Sequence, residues 1–216
     1  MFQLQQNLPK NFNITRGVFI VKPNQFNEAL LQAVQTEPLS AVKQLIEELG
    51  VEVNIRDTLG TGNTPLMLAA KNKQTQIVEY LIKAGATINV TNFFDMTALM
   101  FAAESGQLEI VKALLAAKAD VNQMSPTGCP DALSLAAGNK HISVVKALIH
   151  AGANVNAATT SGHTALMSAV FSEDVNMVST LLEAGADPEM KDWEGQTALD
   201  MAISNDFTDI VKKLKT

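Results

Sequence analysis

Thr64-Pro65-Leu66-Met67-Leu68-Ala69-Ala70 is the stretch on which the fold turns, because the chain repeats it four times. It returns as Thr97-Ala98-Leu99-Met100-Phe101-Ala102-Ala103, then Asp131-Ala132-Leu133-Ser134-Leu135-Ala136-Ala137. Two more copies follow, Thr164-Ala165-Leu166-Met167-Ser168-Ala169-Val170 and Thr197-Ala198-Leu199-Asp200-Met201-Ala202-Ile203. Successive starts lie 33, 34, 33 and 33 residues apart. A second block trails each copy at fixed distance, as Ile77-Val78-x-x-Leu81-Ile82 and Ile110-Val111-x-x-Leu114-Leu115. The later ones are Val144-Val145-x-x-Leu148-Ile149, Met177-Val178-x-x-Leu181-Leu182 and Ile210-Val211-x-x-Leu214. Self-similarity at such a period is the mark of a repeat array.

Each copy reads as two short helices. Leu and Ala at spacings of three and four predict a first helix with a narrow small-residue face. The Ile-Val-x-x-Leu-Leu block predicts a second, whose apolar stripe meets the first. The Thr that opens a copy is placed to cap the first helix through its hydroxyl. Gly85, Gly152 and Gly185 fall just past the second helix, where the left-handed region is often needed. Gly62, Gly128, Gly162 and Gly195 mark tight turns between copies. One helix pair closes no core, so neighbours must stack.

With these residues in view, the chain resembles the ankyrin repeat family, whose Thr-Pro-Leu-His-x-Ala signature survives as Thr64-Pro65-Leu66 with Met67 in the His place. The family's Ala-Asp-Val-Asn ending appears as Ala119-Asp120-Val121-Asn122 and Ala153-Asn154-Val155-Asn156, more loosely as Ala86-Thr87-Ile88-Asn89. The resemblance implies an all-α repeat solenoid: stacked helix-turn-helix units with projecting β-turn fingers. It also implies a concave partner-binding face of fingers and first helices. The expected organisation is an N-terminal extension over 1–23 and a repeat domain over 24–216. That domain opens with a degenerate repeat, 24–56, followed by repeats at 57–91, 92–124, 125–158, 159–191 and 192–216. In the degenerate unit, Val42-x-x-Leu45-Ile46 and Val51-Glu52-Val53-Asn54 echo the second half of a repeat. The departures are two extra residues within Asp57–Asn63, an extra Pro130, and Lys118 in a glycine place. The strand-like run Gly17 to Val21 is expected to belong to an extension lying over the first unit.

Composition narrows the classes. The chain has 216 residues, 47% hydrophobic and 18% charged, which suits a foldable chain rather than a disordered one. Apolar runs such as Gly17 to Val21 fall far short of the roughly 20 residues that span a bilayer, so no membrane partner is expected. No secretory head is visible in Met1 to Gln6. Cys129 is the only cysteine, which excludes an internal disulfide and fits a reducing, cytoplasmic setting, or delivery to a host cell for a bacterial effector. The formal charge of −6 argues against nucleic acid. That charge is uneven: residues 173–216 hold ten acids against four lysines, while acids and bases balance in the rest. An acidic end serves solubility, and it also suits docking of a basic partner.

Catalytic motifs are missing. The sequence holds no phosphate-binding glycine loop, no His-Glu-x-x-His and no Cys-x-x-Cys. Of the histidines His141, His150 and His163, His150 is placed to complement the end of a second helix. Cys129 and His163 hold the same place in adjacent turns, so a Cys/His hydrolase is the remote reading. No cofactor and no metal are expected, and the chain reads as a non-enzyme.

The strongest functional signal is apolar residues where turns should be polar. The candidate partner-binding residues are Phe93, Phe94, Met96, Glu104, Phe171, Asp192, Trp193, Glu194 and Asp200. Exposed aromatic and methionine clusters mark protein interfaces. Met67, Met100 and Met167 share one helical position and are read as packing between helices. The leading function is a non-enzymatic protein-interaction scaffold, monomeric when unbound, that binds another protein. The alternatives are an immunity or inhibitor protein covering a basic enzyme or toxin, or a bacterial effector adaptor.

Overall fold

The computed structural model describes residues 23–36, 38–58 and 60–215. The Gly17–Val21 run, and the extension expected around it, lie outside them. Among the described residues the chain forms twelve α-helices and no named strand. The elements are α1 (Pro23–Thr36), α2 (Leu39–Lys43), α3 (Pro65–Lys71), α4 (Thr75–Lys83), α5 (Ala98–Glu104) and α6 (Leu108–Ala116). There follow α7 (Ala132–Gly138), α8 (Ile142–His150), α9 (Ala165–Phe171), α10 (Val175–Glu183), α11 (Ala198–Ser204) and α12 (Thr208–Leu214). No helix among these residues is long and apolar enough to cross a membrane.

The caps explain why the first helices start where they do. Thr64, Thr97, Thr164 and Thr197 each accept, through the side-chain hydroxyl, the backbone N–H three residues on. Asp131 does the same through Oδ1, at 2.7 Å from Ser134 N. In three copies the third residue answers: Asp200 Oδ2 accepts the N–H of Thr197 at 3.0 Å, and the sulfurs of Met67 and Met100 accept the N–H of Thr64 and Thr97, both at 3.4 Å. Those sulfurs stand where a Glu completes a capping box. Met67, Met100 and Met167 are buried, so the methionine row is core packing.

Each second helix buries one stripe, such as Ile77, Val78 and Leu81 in α4 or Val144, Val145 and Leu148 in α8. Lys118, in the glycine place after α6, takes φ +67°, and the chain turns there as it does at Gly85, Gly152 and Gly185. The degenerate first repeat differs in shape. Its first helix runs 14 residues, and α2 continues into a π-helical turn over Gln44–Glu48.

The chain divides into two compact units at Thr87/Ile88. In the first, α1 packs on α3 and α2 on α4. In the second, the first helices pack in the series α5, α7, α9, α11, and the second helices in the series α6, α8, α10, α12. Asparagines link the turns that follow the second helices. In the first unit Asn54 Nδ2 donates to Gly85 O (3.2 Å) while its Oδ1 accepts from Thr87 N (2.8 Å). In the second unit Asn89, Asn122 and Asn156 make the same two-way contact with the turn one repeat on.

Candidate protein-binding surface

The fingers of the second unit are built by their first residue. Asn92 is buried, and its Oδ1 accepts from both Phe94 N and Met96 N at 2.9 Å. Asp192 Oδ1 takes Glu194 N (3.0 Å) and Gln196 N (2.9 Å), and Ser125 Oγ takes Thr127 N and Cys129 N, both at 3.1 Å. A backbone bond closes the loop in three fingers: Asn92 N to Met96 O, Thr159 N to His163 O, and Asp192 N to Gln196 O. In the first unit the matching bond runs from Asp57 N to Asn63 O, so the two extra residues are looped out inside it. A polar residue that folds the turn onto itself leaves the next two side chains to project. Phe93 and Phe94 are 61% and 62% exposed in consequence, and Trp193 is 81% exposed.

Side chains also join one finger to the next. Asp95 Oδ2 accepts from Thr127 Oγ1 (2.6 Å) and Ser125 Oγ (3.0 Å), and these hydroxyls hold its carboxyl below the usual range. The Cys129 thiol points at Met96 Sδ, 3.1 Å away. Trp193 N donates to Ser161 O at 2.9 Å. The His163 ring stacks on Phe171 with centroids 5.3 Å apart, and burial pushes its pKa down. His141 Nε2 lies 3.0 Å from the Glu104 carbonyl, so this nitrogen carries the proton that bonds it. That ring lies over Gly106, at φ +69°, where a Cβ would sit 2.5 Å from His141 Nδ1.

This geometry keeps Cys129 and His163 in separate contacts, one on Met96 and one on Phe171. Burial and the nearby Asp95, Glu104 and Asp131 push the Cys129 thiol up, the opposite of what a nucleophile needs. Among the described residues no group of three or more His, Cys, Asp or Glu side chains is placed to hold a metal ion.

The residues singled out from sequence fall into two kinds. Phe93, Phe94, Phe171, Trp193, Glu104, Glu194 and Asp200 are exposed, whereas Met96 and Asp192 are half-buried. Asp192 folds its own finger, and Asp200 Oδ2 accepts from Thr197 N (3.0 Å) and Thr197 Oγ1 (2.7 Å). The two carboxylates therefore carry structural duties that the charge count did not reveal. Sequence reading also passed over Asp95 and Thr127. The available signal was position: Asp95 stands where the other fingers have Gly62, Gly128, Gly162 and Gly195.

Residues 30–125 and 133–215 match the family model described as ankyrin repeats (3 copies). Among curated proteins, the chain is 36% identical over 63 residues to the ankyrin repeat protein FPV031 of Fowlpox virus (strain NVSL), covering 29% of this chain and 18% of that one. It is 39% identical over 61 residues to protein fem-1 homolog C of Homo sapiens, covering 28% and 10%. The match thus spans less than a fifth of the length of these relatives. Among solved structures, it is similar to a chain of the Bdellovibrio bacteriovorus predatory endopeptidase Bd0816 in complex with immunity protein Bd3460. There the TM-score is 0.79 and the identity 29%, over 87% of this chain and 97% of that one. The ankyrin repeat domain of Bcl-3, a member of the IkappaB family, gives a TM-score of 0.75 at 28% identity, over 86% and 84%. With its repeat period, its capped helix pairs and a family match over most of its length, the chain belongs to the ankyrin repeat family.

Proposed function

We propose that the chain is a non-enzymatic scaffold that offers the fingers and first helices of its second unit to a partner protein. The observation that carries this is the Phe93/Phe94 pair, two adjacent phenylalanines 61% and 62% exposed at one finger tip. Large rings held in water by a preorganised turn lose little freedom on docking, which is how aromatic anchors come to dominate interfaces. The family, generally non-enzymatic, supports the reading. The separate engagement of Cys129 and His163 weighs against a hydrolase.

A second, sharper reading is an immunity or inhibitor protein that covers a basic enzyme or toxin. It is favoured by the ten acids against four lysines in residues 173–216, and by likeness to a chain from an endopeptidase–immunity protein complex. On either reading the chain is a monomer when unbound and works in the cytoplasm. The test is affinity capture from the native source with the unmodified chain and with Phe93→Asp/Phe94→Asp. A partner held by the first and lost by the second, with unchanged helical circular dichroism, is the expected result. Equal capture by both would remove these rings from the interface and the reading with them.

A further inference from the structure

A second set of aromatic residues lies two and three fingers further along the same unit. Trp193, the chain's one tryptophan, is 81% exposed, and Phe171 is 59% exposed at the end of α9 with the His163 ring stacked on it. Backbone contacts bring the fingers that carry His163 and Trp193 together. Trp193 N bonds Ser161 O at 2.9 Å, two residues before His163, and a Cβ on Gly162 would sit 2.8 Å from Asp192 Cα. The two fingers are thus pressed together, and the Asp192 carboxylate beside Trp193 is near enough to His163 to act on its charge.

The charges around these rings are acidic in the main, with one base among them. Asp192 and Glu194 flank Trp193 in the chain, Glu173 lies two residues past Phe171, and Asp200 is on the next first helix. Of the four lysines in residues 173–216, three (Lys212, Lys213 and Lys215) belong to α12 or follow it. The fourth, Lys191, precedes Asp192 and, after the hydrogen bonds from Thr197, helps to lower the Asp200 carboxyl, which leaves the acids in excess. This patch therefore differs from Phe93/Phe94, whose own finger carries the single acid Asp95, already bonded to Ser125 and Thr127. An anionic partner would be repelled here, and a purely apolar one would strip water from carboxylates and return nothing. A cation resting on ring faces meets both the negative faces of the rings and the carboxylates at their edge. Guanidinium suits this better than ammonium, being planar, weakly hydrated and able to stack.

We propose that Trp193, Phe171 and His163, with Asp192 and Glu194, form a docking surface for an arginine-bearing basic segment of the partner protein. The inference rests on the scaffold reading and names the partner's chemistry. Two anchor points on one compact unit would let the Phe93/Phe94 finger take an apolar element while this surface takes the cationic one.

Trp193 emission reads the surface without a label. The full-length chain is titrated with an acetylated peptide of four Gly-Arg repeats, and with the Gly-Lys and Gly-Glu equivalents. A saturable change with the arginine peptide is expected, weaker with lysine by about two- to fivefold and absent with glutamate. Phe171→Ala, checked for an unchanged melting curve, should weaken the arginine peptide and bring it level with lysine. Glu194→Gln should weaken both peptides alike. Phe93→Asp/Phe94→Asp should leave the titration as it was, which separates this surface from the first. Equal arginine and lysine responses in the unmodified chain would reduce the patch to diffuse charge and overturn the proposal. So would a titration indifferent to Phe171→Ala. Either failure, with partner capture still sensitive to Phe93 and Phe94, would leave the scaffold reading standing.

Discussion

Asp95 Oδ2 accepts a 2.6 Å hydrogen bond from Thr127 Oγ1, and this bond ties one finger of the second unit to the next. Asp95 has φ +59°, in the left-handed place that Gly62, Gly128, Gly162 and Gly195 occupy in the other fingers. A side chain with a Cβ is disfavoured there, so the contact to Thr127 and Ser125 compensates for a poor backbone choice. Asp95→Ala removes the contact and keeps the backbone cost, whereas Asp95→Gly removes both. Alanine is therefore expected to melt below glycine at neutral pH, and equal melting would mean that φ carries no cost. The folded pKa of Asp95 is lowered, so its contribution is present above the unfolded value of about 3.9 and is lost as pH falls through the folded one. The gap between the unmodified chain and Asp95→Ala should accordingly narrow in melts near pH 3.

Asp131 caps α7 while buried, and burial pushes its carboxyl up. In the other copies a neutral threonine does the same work. With the folded pKa above the unfolded one, ionised Asp131 weighs against the fold as pH rises through the folded value. Asp131→Thr should therefore stabilise near neutral pH, and its advantage should shrink below the unfolded pKa of about 3.9. Asp131→Ala, which loses the cap itself, should cost about 1 kcal/mol. Urea unfolding at neutral and acid pH checks all three statements. A threonine variant less stable at pH 7 would contradict them.

Leu148 is fully buried on α8, which packs against α6 and α10. Leu148→Ala should cost about 2–5 kcal/mol, the range for emptied core positions. Lys146→Ala on the exposed side of the same helix should cost less than about 0.5 kcal/mol. Denaturant unfolding that ranks the two equally would show that neighbouring repeats do not share this core.

Asn156 donates to Gly185 O at 3.1 Å and accepts from Asp187 N at 2.8 Å. Its position is exposed, so Asn156→Ala should cost about 1 kcal/mol, in the ordinary net range for hydrogen bonds. Asn156→Asp keeps the acceptor and loses the donor, and should fall between. Amide exchange at Asp187 reads the effect locally: faster exchange is expected in the alanine variant and protection in the aspartate one.

The acids of the last repeat should govern encounter more than residence. Asp192→Asn, Glu194→Gln and Asp200→Asn together should slow association with the captured partner and flatten its salt dependence, because exposed charges are screened over roughly 8 Å at physiological salt. The amides still offer an oxygen to Glu194 N, Gln196 N and Thr197 N, so the finger and the cap should survive. Asp209→Asn with Glu183→Gln, on the second helices α12 and α10, should do much less. Stopped-flow rates across a salt series decide this, and equal effects from the two sets would leave the acidic end a solubility device.

By itself the sequence determined everything that depends on residues three or four apart. Thr64 and Met67, or Thr197 and Asp200, are close enough along the chain for spacing to set the cap, and the 33-residue period multiplied each local decision down the array. The aromatic exposure at Phe93, Phe94 and Trp193 was legible too, since a turn closed by its first residue leaves the next ones outside. Only the tertiary structure decided which partner each of these side chains takes. Cys129 turns to Met96 and His163 to Phe171, although the equal places of Cys129 and His163 in adjacent turns paired them on paper. The π-helical turn at Gln44–Glu48 was likewise invisible, as no local pattern distinguishes it from a continued α-helix. The Cys129–Met96 contact joins groups one repeat apart and the His163–Phe171 contact groups eight residues apart in one repeat. In both, stacking geometry and side-chain rotamers select the partner. Sequence spacing carries the stacking and leaves the rotamers open.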